Sequence, residues 1–178
     1  MDGNEDKGSI IAPRAVTPVD GDGRPDPAAW QQHELLSYKL AILSRLLERG
    51  SESRLARKFG LWLTDCRVLG HLIARSPRTV RDLAEHMVMD KAPVSRSASR
   101  LVEKGLLTRA ADPDDGRSAV FQLTAEGRKV AGSIMKNAQD GQAKYLHRLD
   151  PEECWQLLEA IDKLLRYAKT ELPKEPPR

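Results

Sequence analysis

The stretch from Ser76 to Leu107 most constrains the fold, because it contains two short helical patterns separated by only a few residues. Thr79 and Asp82 form a capping pair that starts the first helix, Asp90 can cap the second helix, and Gly105 ends it. The side chains expected to face the core are Leu83, Ala84, Met87, Ala98, Leu101 and Val102. Two helices joined by so short a connection indicate a helix-turn-helix.

Two short, β-prone stretches follow the second of these helices. Leu106–Ala110 and Ala119–Leu123 flank the turn-forming sequence Asp-Pro-Asp-Asp-Gly, which predicts an antiparallel hairpin with a long tip. A hairpin that directly follows a helix-turn-helix is a wing. The centre of the chain is therefore predicted to be a winged helix-turn-helix.

Long helical patterns flank this centre on both sides. Between Trp30 and Glu48, leucines recur at spacings of four and three, which predicts one helix with a single apolar stripe. The leucines of this stripe are Leu36, Leu40, Leu43 and Leu47. Further helices are predicted from Thr64 to Arg75 and from Thr124 to about His147, and a last one is predicted to begin at the sequence Asp150-Pro151-Glu152-Glu153.

The last helix carries more apolar positions than one stripe can hold. They are Cys154, Leu157, Leu158, Ile161, Leu164, Leu165 and Ala168. Such a helix needs cover on two sides, and a single chain with so few long helices can hardly supply it. The terminal helices are therefore predicted to dimerise with a second copy of the chain.

Together these elements predict a mainly α (α+β) fold. It consists of a winged helix-turn-helix, long N- and C-terminal dimerisation helices and one small β-hairpin wing. The predicted parts are a disordered tail at 1–27, an N-terminal dimerisation helix and connection at 28–60, the winged lobe at 61–123, C-terminal dimerisation helices at 124–172, and a tail at 173–178.

Composition and motifs exclude several classes of protein. No apolar run approaches the roughly 18 residues of a membrane span, and the N-terminus lacks the order of a signal peptide, so a cytoplasmic location without membrane contact is expected. The two cysteines and four histidines show no metal-binding spacing, and no catalytic or phosphate-binding motif occurs. We expect neither an enzyme nor a bound metal or cofactor.

Basic residues concentrate around the helix-turn-helix. Between Arg78 and Arg109 they outnumber acidic residues by the same margin as the whole chain's net charge of +3. The second helix places Ser95, Arg96, Ser99 and Arg100 opposite its apolar face. The same charges would also suit an ordinary solvated face. Between a helix-turn-helix and a wing, they favour a surface that enters the major groove of DNA, where arginine can pair with guanine.

These residues resemble the MarR (multiple antibiotic resistance regulator) family of winged-helix transcriptional regulators, from about Glu34 to Thr170. The segment SRSASRLVEKGLLTRAADPDDGRSAVFQLTAEG is similar to the recognition helix, wing and return strand of that family. FGLWLTDCRVLGHL is similar to the entry into its second helix, and LDPEECWQLLEAIDKLL to its closing dimerisation helix. The resemblance implies a homodimeric repressor that binds a pseudo-palindromic double-stranded DNA operator.

The resemblance and the polar face together assign a set of residues to DNA. On the second helix these are Lys91, Pro93, Ser95, Arg96, Ser99 and Arg100. The resemblance further implies that Arg117, at the wing tip, reaches the minor groove, and that Asp115 holds the Arg117 side chain in place. The family often has a second arginine just before the wing arginine, where this chain has Gly116.

The resemblance also implies a small-molecule effector, since members commonly sense small aromatic acids or phenolic compounds between the dimerisation helices and the DNA-binding lobe. An arginine beside histidines and aromatic rings suits a hydroxybenzoate-like or nicotinate-like carboxylate. The residues assigned to this predicted ligand site are His33, Tyr38, Arg45, Trp62, Arg67 and His71.

Two other functions stay open at this point. The first is a thiol-switched repressor that acts through Cys66, although redox-sensing members carry their cysteine near the start of the first helix and this chain has none there. The second is a winged helix that docks a protein instead of DNA.

Overall fold

The computed structural model describes residues 19–76, 78–113 and 115–171. Most of the predicted N-terminal tail and the predicted tail at 173–178 lie outside these residues. Residues 19–27 were also expected in the tail, yet Val19 pairs with Pro25 across a turn. The turn forms because the Asp20 carboxylate accepts hydrogen bonds from the backbone N–H groups of Asp22 and Arg24.

The chain divides into two compact units, Met1–Ser53 and Arg54–Arg178. The described part of the first unit contains the turn at Asp20, two short 3-10 helices (Pro27–Ala29 and Gln32–Glu34) and the start of the first α-helix. This helix, α1, spans Leu36–Phe59 instead of the predicted 30–48. The leucine stripe correctly indicated a helix, but periodicity defines a face and not the two ends.

The second unit contains the remaining elements. In chain order they are α2 (Leu63–Ala74), β1 (Arg78–Thr79), α3 (Val80–Met87), α4 (Lys91–Glu103), β2 (Leu107–Ala111), β3 (Ala119–Leu123), α5 (Ala125–Leu146) and α6 (Pro151–Glu171). The helices α3 and α4, the short connection between them and the hairpin β2–β3 form the predicted winged helix-turn-helix. The fold class is confirmed.

The core of this unit lies where α2, α3 and α4 pack against the sheet and α5. Each helix contributes residues spaced three and four apart, as expected for one buried face. The aliphatic side chains with 0–1% exposure are Val68, Leu69, Leu72, Leu83, Val94, Ala98, Leu101 and Ala131. Of the predicted core residues, Met87 and Val102 are half-buried and pack against this cluster.

Local capping explains why the helices begin where they do. The Thr79 hydroxyl accepts from the backbone N–H of Asp82, and the Asp82 carboxylate accepts from that of Thr79. This hydrogen bond from the Thr79 backbone is the main reason why the pKa of Asp82 is lowered. Asp150 and Glu153 exchange the same pair of bonds at the start of α6. Asp90 occupies the N-cap position of α4 as predicted, but its side chain makes no capping hydrogen bond.

The sheet has three strands in the order β1-β3-β2, all antiparallel. The predicted hairpin pairs Leu107 with Leu123 and Ala111 with Ala119. The sequence did not predict β1, whose two residues pair with Val120 and Phe121 of β3. A strand this short is defined by its neighbour in space, and its own sequence carries no alternating pattern.

Candidate nucleic-acid interface

The outward face of α4 presents the polar residues expected to meet DNA. Ser95, Arg96 and Ser99 are exposed, while Val94 and Ala98 on the opposite side are fully buried. The predicted Lys91 is exposed at the first turn, and Pro93 is half-buried there. A helix with one apolar face in the core and one hydroxyl- and arginine-bearing face in solvent has the form of a major-groove reading helix.

A cleft of about 280 Å³ lies between α4, the start of α3 and the sheet. Its polar lining consists of Thr79, Arg81, Lys91, Ser95, Ser99, Arg109 and Ser118. Three cations and four hydroxyl-bearing residues at one concave surface favour a negatively charged partner such as a phosphate group. Arg81 and Arg109 belong to the basic segment found in the sequence, but they were not assigned to DNA there. They come close to α4 only because the sheet brings the wing and the start of α3 together.

The wing tip places Arg117 in solvent. The Asp115 carboxylate accepts from the backbone N–H of Arg117 at 3.1 Å and from the Ser118 hydroxyl at 2.8 Å. These two bonds, the one from Ser118 first, lower the pKa of Asp115. The prediction that Asp115 holds the Arg117 side chain was wrong, because Asp115 instead holds the backbone of the turn. The described residues supply no ion-pair partner to the Arg117 side chain.

Arg100 has a different environment from the other predicted DNA contacts. Its Nη2 lies 2.7 Å from Oδ1 of Asp65, whose side chain is completely buried. The buried Ser97 hydroxyl donates to the same oxygen at 2.6 Å. The Arg100 guanidinium also lies 5.9 Å from the centre of the Trp62 ring. Arg100 was predicted to face the groove, but in this structure its guanidinium is bound to an acid of α2.

Asp65 and Ser97 were missed by sequence reasoning, although one signal was present. Ser97 lies three residues after Val94 and four before Leu101, so it occupies an apolar position of α4. A hydroxyl at such a position needs a buried hydrogen-bond partner. Its acceptor, Asp65, lies 32 residues away in the sequence, and no local pattern predicts that these two residues are in contact.

The six residues of the predicted ligand site are distributed over both units. His33, Tyr38 and Arg45 belong to the first unit, and Trp62, Arg67 and His71 to the second. The Trp62 ring faces Arg100, and the His71 ring lies edge-on to His86 with 6.4 Å between ring centres. Burial, followed by the nearby charges of His86 and Arg78, lowers the pKa of His71. A ligand site formed by these six residues stays a prediction.

The two cysteines have no features of a reactive thiol. Cys66 is buried, and burial together with the neighbouring Asp65 raises its pKa to about 11. At that pKa about one thiol in ten thousand is deprotonated at pH 7, whereas reactive cysteines have lowered pKa values. The half-buried Cys154 donates weakly to the Leu146 carbonyl at 3.6 Å. This environment does not favour the thiol-switched alternative.

The described part of the chain contains no cluster of three or more His, Cys, Asp or Glu side chains able to hold a metal ion. None of its helices combines the length and the apolar character that crossing a membrane requires.

Comparison with known proteins agrees with this geometry. A family model described as "MarR family" matches residues 59–118. The uncharacterized HTH-type transcriptional regulator YxaD of Bacillus subtilis is 32% identical over 97 residues, which cover 54% of this chain and 67% of YxaD. The HTH-type transcriptional repressor MdtR of the same organism is 30% identical over 104 residues, which cover 58% of this chain and 67% of MdtR.

A solved structure shows the same fold. The S. aureus MepR–DNA complex superposes with a TM-score of 0.67 at 23% sequence identity, over 74% of this chain and 96% of MepR. At this level of identity the likeness establishes the fold alone.

Proposed function

The chain belongs to the MarR family of DNA-binding winged-helix transcriptional regulators, and from that premise we propose that it is a homodimeric repressor of a pseudo-palindromic operator. The observation that carries the proposal is the outward face of α4, where Ser95, Arg96 and Ser99 are exposed on the side opposite the buried Val94, Ala98 and Leu101. In a two-fold dimer, two copies of α4 would enter major grooves about 34 Å apart.

Each part of the lobe has a separate role in this proposal. Arg96 is the side chain on α4 with the reach and fork geometry to pair with a guanine. The cleft beside α4, with Arg81, Lys91 and Arg109, receives a backbone phosphate and sets the position of the lobe on the duplex. Arg117 at the wing tip enters a narrow minor groove, where negative potential is concentrated.

The proposal is tested by selecting duplexes from a random pool with the purified chain and then measuring affinity for the selected duplex. We expect one enriched pseudo-palindromic sequence. Binding should weaken steeply with salt, because phosphate contacts release counterions. A pool without enrichment, or binding that is indifferent to salt, would contradict the proposal and would favour the protein-docking alternative.

Arginine variants separate base reading from general charge. We expect Arg96→Ala to weaken binding to the selected duplex by about 1–3 kcal/mol and to relax its sequence preference. Arg117→Ala should weaken binding without changing the melting temperature, since its side chain is exposed and has no ion-pair partner among the described residues. Lys163→Ala is the matched control, because it removes one cation from an exposed position of α6. Equal losses in all three variants would mean that only net charge matters.

Dimerisation is proposed from the exposed apolar face of α6. In the single chain none of the described residues of α6 is buried, and Leu157, Leu164 and Leu165 are 43%, 46% and 51% exposed. Tyr167 adds an aromatic ring that is 64% exposed. A patch of this kind marks an interface in a soluble protein, and a second copy covers it with an identical face.

The combined variant Leu157→Glu and Leu164→Glu is expected to be a monomer, because it puts two charges into the proposed interface. Sedimentation should give about the 19.9 kDa mass of one chain for the variant and about twice that mass for the wild type. Gln156→Glu with Lys163→Glu is the control at the adjacent exposed positions, and it should stay dimeric. A wild-type monomer would contradict the proposed dimer.

Release by a small aromatic carboxylate or phenolic compound remains part of the proposal. Its support is the family membership and the presence of Arg45 and Arg67 among the six predicted ligand residues. The effector would act by favouring a dimer whose recognition helices no longer match the spacing of the two half-sites.

A further inference from the structure

The buried carboxylate of Asp65 connects the start of α2 to the middle of α4. Its Oδ2 accepts from the backbone N–H of Trp62 at 3.0 Å, which anchors the acid at the first turn of α2. Its Oδ1 accepts from the Ser97 hydroxyl at 2.6 Å and from Nη2 of Arg100 at 2.7 Å. One side chain with 0% exposure therefore holds two residues of the helix that carries the outward polar face.

The energetic case for this network as a source of stability is weak. Burial removes the hydration of the Asp65 carboxylate and part of that of Arg100. Apolar residues in place of a buried pair often give equal or greater stability. In addition, Nε of Arg100 is buried without a hydrogen-bond partner among the described residues. The network of Asp65, Ser97 and Arg100 is therefore costly to bury and incompletely hydrogen-bonded. The fixed geometry of its hydrogen bonds explains its presence better than a gain in stability does.

The apolar contacts of α4 do not fix the rotation of the helix about its own axis. Val94, Ala98 and Leu101 attach the helix to the core, but aliphatic cores lose uniqueness of packing before they lose stability. A rotation of about 20° would move the surface of a helix, about 5 Å from its axis, by about 2 Å. That shift exceeds what a hydrogen bond to a base edge tolerates.

Ser97 and Arg100 are three residues apart and lie on one face of α4, so their two bonds to a single oxygen fix the rotation of the helix about its axis. The exposed Ser95, Arg96 and Ser99 alternate with these anchored positions. The Trp62 ring, 5.9 Å from the Arg100 guanidinium, limits the movement of that guanidinium on one further side.

We propose that Asp65 is a positioning residue for DNA recognition: through Ser97 and Arg100 it sets the rotation of α4, and so the sequence preference of the outward face, without touching DNA. This inference rests on the proposed function. It assigns to Arg100 the task of orienting α4, whereas the sequence predicted direct contact with the groove.

Two variants test the inference, since Asp65 and Ser97 are both fully buried and cannot contact DNA. Ser97→Ala removes one hydrogen bond to the carboxylate, and Asp65→Asn removes its charge. Fluorescence anisotropy would compare two labelled duplexes at one salt concentration, the selected duplex and a scrambled duplex of equal length and composition. We expect affinity for the selected duplex to fall about ten-fold, the size of one lost base contact, with affinity for the scrambled duplex unchanged.

The control separates positioning from general loss of stability. Ile134→Val, a buried position of α5 with 7% exposure, loosens the same core through another helix. It should lower the melting temperature and keep the wild-type ratio of the two affinities. Ser97→Ala keeps the test valid if Asp65→Asn fails to fold, because it leaves the ion pair with Arg100 intact.

The outcomes can be told apart. A wild-type ratio in the folded Ser97→Ala and Asp65→Asn variants overturns the inference while leaving the proposed function standing. An equal fall of the ratio in Ile134→Val also overturns it, because any loosening of the core would then be sufficient. A wild-type protein that does not distinguish the two duplexes removes the proposed function, and the inference falls with it.

Discussion

Replacing Arg100 with alanine should lower the free energy of unfolding by about 2 kcal/mol. The substitution leaves the completely buried carboxylate of Asp65 without its cation, and breaking one side of a buried pair typically costs about 3–5 kcal/mol. The lower value is expected because the Arg100 side chain is 36% exposed and water screens part of the attraction. Urea denaturation followed by circular dichroism at fixed protein concentration gives the change.

Two comparisons show whether the buried charge is the cause. Arg96→Ala, at an exposed position of the same helix, should change stability by less than about 0.5 kcal/mol. The double variant Asp65→Asn with Arg100→Met removes both charges and should recover most of the stability lost in Arg100→Ala. The amide still offers hydrogen-bond partners to the Ser97 hydroxyl and to the backbone N–H of Trp62. If Arg96→Ala costs as much as Arg100→Ala, the loss of stability is not specific to the ion pair with Asp65.

The winged helix-turn-helix could be predicted because its signals are local. The capping pair Thr79–Asp82 and the caps at Thr124 and Asp150 act over three residues, and the structure contains all three. The strand Ala119–Leu123 was predicted with its observed bounds, since turn-forming residues precede it and a capped helix follows it. Interactions of this range are encoded in neighbouring residues, so one sequence is sufficient to find them.

Features that depend on distant residues could not be predicted in the same way. Arg100 has the residue type and the position on α4 expected of a DNA contact, yet it is bound to Asp65 of α2. The two residues are 35 positions apart, so no local pattern indicates their contact. The strand β1 exists only because Val120 and Phe121 of β3 lie beside it. Tertiary contacts determine both features, and the secondary-structure propensities of the local sequence do not predict such contacts.

Asp115 is a different case, because its role is local and could have been derived from the sequence. An aspartate side chain in a turn commonly accepts from the backbone N–H two residues later, and Asp115 accepts from that of Arg117. The family resemblance instead implied that Asp115 holds the side chain of Arg117. For the wing, the physical rule about turns was the better guide, and it still leaves Arg117 free to reach DNA.

Gly127 is the position in α5 where a single added carbon should be most damaging. Helix propensity alone predicts that Gly127→Ala stabilises the protein by about 1 kcal/mol. The structure predicts the opposite sign, because a Cβ at this position would overlap the backbone carbonyl oxygen of Leu106. That oxygen already accepts from the backbone N–H of Thr124 at 3.1 Å, so it cannot move without breaking the junction between the wing and α5.

We expect Gly127→Ala to lower the free energy of unfolding by about 3 kcal/mol, near the upper end of the usual cost of overpacking. Gly132→Ala is the matched control, since Gly132 lies on the same helix and no atom of the described residues comes within 4 Å of an added Cβ. There propensity acts alone, and the variant should gain about 0.5–1 kcal/mol. If urea denaturation gives changes in the free energy of unfolding of opposite sign for the two variants, the overlap with the Leu106 carbonyl is the cause of the loss at Gly127. A stabilised Gly127→Ala protein would instead mean that the wing moves freely relative to α5, which would also weaken the case for a wing arginine held at a defined place on the operator.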